Sequence, residues 1–252
     1  MNKDDKSGVI LKYLSILQNN GAFPDDEYLD NEDEDFDDFC QRALEEIILK
    51  YSDNKYSKEL FIHLKYDSIF KIVPTKYSGN LVEVEYKGEF IPYRLDLADH
   101  SPMGFAVPMG GSSQNQLSLA ILSIIVGDKE ALKYYQNLSS SIAKAITHNR
   151  KQQTTYLEIY KLYLELKREK MKNMVKYVCS ELNITQRALS EEIGVSEGTV
   201  NRWSAKPDEI PLQTQKTLKL ILENFQLKDN QEKLLKSISL IEEVKNTQNS
   251  SN

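Results

Sequence analysis

Apolar side chains recur at helical spacing over residues 9–17 and again over 39–51, where Cys40, Ala43, Leu44, Ile47, Ile48 and Tyr51 fall on one stripe. Both stretches predict core-facing helices. Over 61–97 the period shortens to two. Val82, Val84 and Tyr86 alternate with Glu83 and Glu85, Lys87-Gly88 punctuates, and Ile91, Tyr93, Leu95 and Leu97 alternate afterwards. This predicts an antiparallel hairpin, with Pro92, which has no N–H, at an edge or a bulge. The stretch HSPMGFAVPMGG then opens into an apolar helix expected from about Ser113 to Gly127, and Asp128 caps another reaching about Ile146. Residues 149–184 carry Tyr156, Ile159, Tyr160, Tyr163, Leu164, Met174, Val175 and Val178 at helical spacing and contain neither Gly nor Pro. A long helix, bent near KREKMK, is expected there. It connects two domains, pairs with its copy in a dimer, or packs onto its own domain.

Residues 185–203 read TQRALSEEIGVSEGTVNRW. Thr185 stands as an N-cap for a short helix with Ala188, Leu189 and Ile193 inward, and Gly194 suits its left-handed end. Ser196 caps a second helix with Val200 and Trp203 inward, which leaves Glu197, Gly198, Asn201 and Arg202 on the outer face. Two short helices joined by so tight a turn present the second as a rigid probe.

With 252 residues and 40% hydrophobic content, the chain can bury the core of one or two domains. No targeting segment and no run of eighteen apolar residues is visible, so a soluble, cytoplasmic protein without membrane contact is expected. Cys40 and Cys179 lack CxxC spacing, and His63, His100 and His148 lack ligand spacing, so neither a disulfide framework nor a metal is expected. The net charge of −6 hides an asymmetry: residues 1–149 hold 15 basic and 24 acidic side chains, residues 150–252 hold 17 and 14. Ten carboxylates crowd DDEYLDNEDEDFDD at 25–38. Such a tract is a self-repelling solvated segment or, on a sharper reading, a competitor for a basic face.

The segment 171–223 resembles the Cro and C1-repressor type of helix-turn-helix domain. The resemblance rests on Gln186, small Ser190 where alanine is usual, Ile193-Gly194-Val195 at the turn, Val200 and Trp203 inside, and DEIPLQTQKTLKLILEN downstream. It implies that Gln186 braces the sugar-phosphate backbone while Ser196, Glu197, Gly198 and Arg202 face bases in the major groove. Arg202 has the fork for guanine, and Glu197 can accept from a cytosine amino group. The DNA-facing set is Gln186, Ser196, Glu197, Gly198, Thr199, Asn201, Arg202 and Lys206, with Lys167, Arg168, Lys170, Lys172, Lys176 and Lys216 as a phosphate-facing rim. A plain helical bundle is the alternative.

Residues 75–147 resemble an uncharacterised bacterial and archaeal family. Its pattern runs from His-Ser-Pro-x-Gly-Phe (His100 to Phe105) through Gly-Gly-Ser (Gly110 to Ser112) to Gln-Leu-x-Leu-Ala (Gln116 to Ala120), while 106–108 and 113–114 depart from it. No activity follows from that likeness. Gly110, Gly111, Ser112 and Ser113 ahead of a helix form a candidate anion nest or, more simply, a tight turn with a serine cap. His100 beside Ser101 has no orienting third residue, so no catalytic residues, no cofactor and no enzyme are expected.

The expected fold is an α+β N-terminal domain, a small antiparallel sheet with helices, followed by an all-α helix-turn-helix domain. The boundaries are 1–148 for a sensor or interaction domain, 149–170 for a helical linker, 171–246 for the DNA-binding domain and 247–252 for a disordered tail. The expected function is a sequence-specific transcriptional regulator that binds double-stranded DNA as a homodimer, with a small ligand or a protein partner at the N-terminal domain. The alternative is a mobile-element interaction protein, an antitoxin or anti-defence factor, whose helix-turn-helix autoregulates its own operon.

Overall fold

A computed structural model describes residues 3–21, 36–75, 81–106, 111–147 and 152–225, with residues 227, 228, 231 and 235 beyond them. Most of the acidic tract, 25–35, and the tail 247–252 lie outside the described residues. The chain divides into two compact units, Met1–Leu166 and Lys167–Asn252. The architecture is mixed α+β, with many helices and one small antiparallel sheet.

Helices α1 (Lys3–Asn19) and α2 (Phe36–Lys50) bury the stripes that their sequences set out, Leu14 and Leu17 on the first, Leu44, Ile47 and Ile48 on the second. A third helix, α3 (Lys55–His63), begins where Asn54 Oδ1 accepts the Tyr56 N–H at 2.9 Å. That cap carries the helix through Phe61, where alternation was expected to start.

The sheet holds β1 (Ile69–Pro74), β2 (Leu81–Tyr86), β3 (Glu89–Phe90), β4 (Phe105–Ala106) and β5 (Gln153–Thr155), in the order β3-β2-β1-β5 with β4 also on β2. Phe70 faces Tyr86 and Ile72 faces Val84 across β1 and β2. The Phe70 and Tyr86 rings stack at 4.3 Å, and Ile72, Val82 and Val84 are buried on the sheet's inner side.

The second arm of the expected hairpin is only β3. Beyond it, Pro92 has no N–H for a ladder, and Arg94 sits at φ 60°, a left-handed backbone that a strand does not tolerate. The Arg94 guanidinium forks onto Asp128 at 2.5 and 2.7 Å and onto Asp96 at 3.0 Å. Those hydrogen bonds hold both carboxyls below their ordinary range and push the guanidinium above its own. The loop is thereby tied to the first turn of the helix that begins at Asp128.

Helix α4 (Gly111–Val126) lies at the centre of the first unit, with Leu117, Leu119, Ile121 and Leu122 all buried, and α5 (Asp128–Thr147) packs along it. The expected linker at 149–170 starts differently from its prediction, because β5 pairs with β1 through Phe70 and Thr154. Helix α6 (Tyr156–Met171) follows a reciprocal cap: Thr155 Oγ1 accepts the Glu158 N–H at 3.2 Å, and Glu158 Oε2 accepts the Thr155 N–H at 2.9 Å. Ile159, Tyr160, Tyr163 and Leu164 of α6 are buried in the first core. Tyr163 donates to Glu130 Oε2 at 2.8 Å, and Tyr156, donating to the Ile125 carbonyl at 3.0 Å, has its phenol pushed up to about 12 by burial.

Among its described residues the second unit contains helices and short connections and no strand. It comprises the end of α6, then α7 (Met174–Leu182), α8 (Gln186–Glu192), α9 (Glu197–Ala205), a 3-10 turn (Pro207–Glu209) and a helical stretch at 212–225. The helix expected across 149–184 is interrupted between Met171 and Met174, where Asn173 Oδ1 accepts the Lys176 N–H at 3.2 Å and starts α7 afresh. No described helix is long and apolar enough to cross a membrane.

Candidate nucleic-acid interface

Val175, Val178, Leu189, Val200, Trp203, Ile210 and Leu218 build the core of the second unit, drawing on α7, α8, α9 and the helical stretch at 212–225. Thr185 Oγ1 accepts the Ala188 N–H at 3.1 Å and opens α8. The helix closes at Ile193. Gly194 then takes φ 69°, and the Val195 N–H returns to the Ser190 carbonyl at 3.0 Å, which closes the end of the helix. Small Ser190, itself buried, turns its hydroxyl back onto the Arg187 carbonyl at 2.7 Å. Ser196 Oγ accepts the Thr199 N–H at 3.2 Å and shares a hydrogen bond with the Thr199 hydroxyl at 2.8 Å. Helix α9 is rooted by Val200 and by Trp203, which is only 4% exposed.

Its other face is open. Ser196, Glu197, Gly198, Asn201, Arg202 and Lys206 are exposed and Thr199 is half-buried, so these expected residues share one surface. Ser196 and a further expected residue, Gln186, have structural duties that compete with a role toward a ligand. Ser196 is committed as the cap, and Gln186 donates its amide to Ser204 Oγ at 2.9 Å. Ser204 is a junction absent from the sequence-derived site. Its hydroxyl receives Gln186 from α8, and its carbonyl receives Asn173 Nδ2, ahead of α7, at 2.9 Å. The three helices therefore converge on one buried serine.

Several cations of this unit are paired with carboxylates. Arg187 pairs with Glu191 at 3.2 Å, Lys172 with Glu169 at 2.5 Å, and Lys206 and Arg202 with Glu209 at 3.0 and 3.6 Å. Glu209 too escaped the sequence reading. Its signal was the i, i+3 spacing from Lys206, across a proline that starts a tight turn.

Of the candidate anion nest, Gly111, Ser112 and Ser113 are among the described residues. Gly110 lies outside the described residues, Gly111 begins α4 at φ 50°, and Ser112 is exposed. Ser113 is buried, and its hydroxyl accepts the Ala106 N–H at 2.8 Å. Gln116, fully buried, is the organising residue. Its Oε1 accepts the His100 and Ser101 N–H groups at 2.8 and 3.2 Å, while its amide donates to the carbonyls of Tyr93 and Ala98.

His100 Nε2 meets the Tyr135 hydroxyl at 2.7 Å, and the Ser101 hydroxyl donates to the Gly104 carbonyl at 2.5 Å. A Cβ on Gly104 would come within 2.5 Å of the Tyr93 ring, at a φ of 96°. The His-Ser-Pro-x-Gly-Phe and Gln-Leu-x-Leu-Ala residues thus hold one loop against α4. The described contacts of His100 and Ser101 are those of a stapled turn.

No curated protein and no solved structure matches the chain. Residues 75–165 match the family model of DUF6166, a family of unknown function, over a span that takes in the Gln116-stapled loop, α4 and α5 and ends before α8 and α9.

Proposed function

We propose that this protein is a sequence-specific transcriptional regulator, in which α8, the Gly194 turn and α9 act as a helix-turn-helix of the Cro/C1-repressor type and the first unit binds a small ligand or a protein. The observation that carries this reading is the two-faced character of α9. Val200 and Trp203 anchor one side in the core, while Glu197, Gly198, Asn201, Arg202 and Lys206 stand exposed along the other. Caps at Thr185 and Ser196 and the backbone closure at Gly194 stiffen both helices, which is what groove insertion requires.

One such helix reads few base pairs, so the binding unit is a homodimer on half-sites about 34 Å apart. Exposed Leu220 and Phe225 in the helical stretch at 212–225, with Leu227 beyond it, offer apolar surface for the second copy.

Selection of duplexes from a random pool by the full chain tests the reading. An operator with two related half-sites should emerge, sedimenting with two chains. On that operator Arg202→Ala should lose about 1–3 kcal/mol of binding, with melting like the parent's. An Arg202→Ala chain that binds and discriminates as the parent does would show that the recognition surface lies elsewhere.

The charge of residues 1–149 and the exposed Phe90 and Met103 favour a second reading, an interaction protein that regulates its own operon. It takes precedence if no operator can be selected while a defined protein binds the first unit.

A further inference from the structure

We propose that Glu209 is an internal competitor for Arg202 of α9 and for Lys206 just beyond it, and that it sets the affinity and the salt response of DNA binding. This rests on the DNA-binding reading above. A single carboxylate spans two cations, Oε1 lying 3.0 Å from Lys206 Nζ and Oε2 lying 3.6 Å from Arg202 Nε. The backbone holds it there. Pro207 starts the 3-10 turn, the Glu209 N–H donates to the Lys206 carbonyl at 3.1 Å, and the Ile210 N–H donates to Pro207 at 3.2 Å. Ile210 is buried in the core, so the turn is pinned directly beyond the carboxylate.

All three partners remain open to solvent, with side chains 61%, 67% and 43% exposed for Arg202, Lys206 and Glu209. A phosphate or a guanine edge can therefore reach the same cations, and it meets a carboxylate already there. Two effects act in one direction. DNA must draw Arg202 and Lys206 away from Glu209, and the carboxylate itself repels the phosphates. Because the pairs are exposed, each is weak enough to exchange, and salt screens both effects.

The test uses the full-length chain and its Glu209→Gln and Asp208→Asn variants, titrated against the selected operator and against a random duplex at low and at physiological salt. Asp208 is the control, because it is exposed, adjacent and of the same charge but bridges neither cation. Glu209→Gln should bind both duplexes about 3- to 10-fold more tightly at low salt, with the gain shrinking as salt rises, against at most about 2-fold for Asp208→Asn. Arg202→Ala should also cost more in the Glu209→Gln background than in the parent, since the glutamate no longer engages the guanidinium. If Glu209→Gln binds no more tightly than Asp208→Asn while the parent binds DNA, the competitor role is overturned alone. A parent that binds neither duplex overturns the DNA-binding reading, and this inference with it.

Discussion

Trp203→Ala should unfold the second unit, at a cost of about 3–5 kcal/mol. The indole is the largest side chain in a small core and is 4% exposed, and Val200, Leu189 and Val178 belong to the same cluster. Few other buried residues are there to fill the void, and a core of this size has little stability in reserve. Amide hydrogen exchange across α8 and α9 is the direct measurement, because the chain has one tryptophan and its fluorescence disappears with the substitution. Protection should collapse in α7, α8 and α9 and persist in α4 and α5, whose core is separate. Parent-like protection in α9 would mean that Trp203 is not what roots the exposed face.

Gln116→Leu should destabilise the first unit on a comparable scale. The side chain is fully buried, and its two polar ends make four hydrogen bonds to backbone groups between Tyr93 and Ser101. Leucine fills the space but pairs with none of them. The loss should reach about 3–5 kcal/mol, less than four separate unpaired groups would give because the loop can relax toward water. Gln116→Glu separates hydrogen bonding from volume. It keeps an acceptor for His100 and Ser101 but turns an acceptor toward the carbonyls of Tyr93 and Ala98, so it should be about as damaging at neutral pH. Denaturant melting of the three chains decides between these outcomes, and a Glu variant as stable as the parent would remove the staple from the account.

These two residues also show where a sequence can be read. Trp203 was legible because Val200, Trp203 and the two caps repeat at helical spacing, and Thr185 and Ser196 do accept the N–H groups of Ala188 and Thr199. The stripes at 9–17 and 39–51 were legible for the same reason and lie within α1 and α2. Gln116 stood in a recognisable pattern, yet its role was hidden, because its partners lie about fifteen to twenty-three residues upstream in an irregular loop. That loop also ended the hairpin early. Alternation at Ile91, Tyr93, Leu95 and Leu97 looks like a strand until tertiary bonds claim the Tyr93 carbonyl. Three-residue β5 carries too few positions for any period, although the Thr155 and Glu158 cap beside it was readable. Glu209 depends on a turn geometry that charge counting does not reveal.

The pairing of β5 with β1 bears on how the chain is made. β1 finds β2 at once across a short connection, but its other neighbour arrives only after α4 and α5 have been synthesised. During that interval the ribosome has delivered a strand carrying Phe70 and Ile72 with one open edge, the arrangement most prone to pairing with a stranger. Closing that edge requires a long loop to form first, which makes it a late and slow event. A nascent chain stalled before Gln153 therefore carries a six-residue strand with one edge unpaired, and the arrival of β5 replaces that edge with one of only three residues.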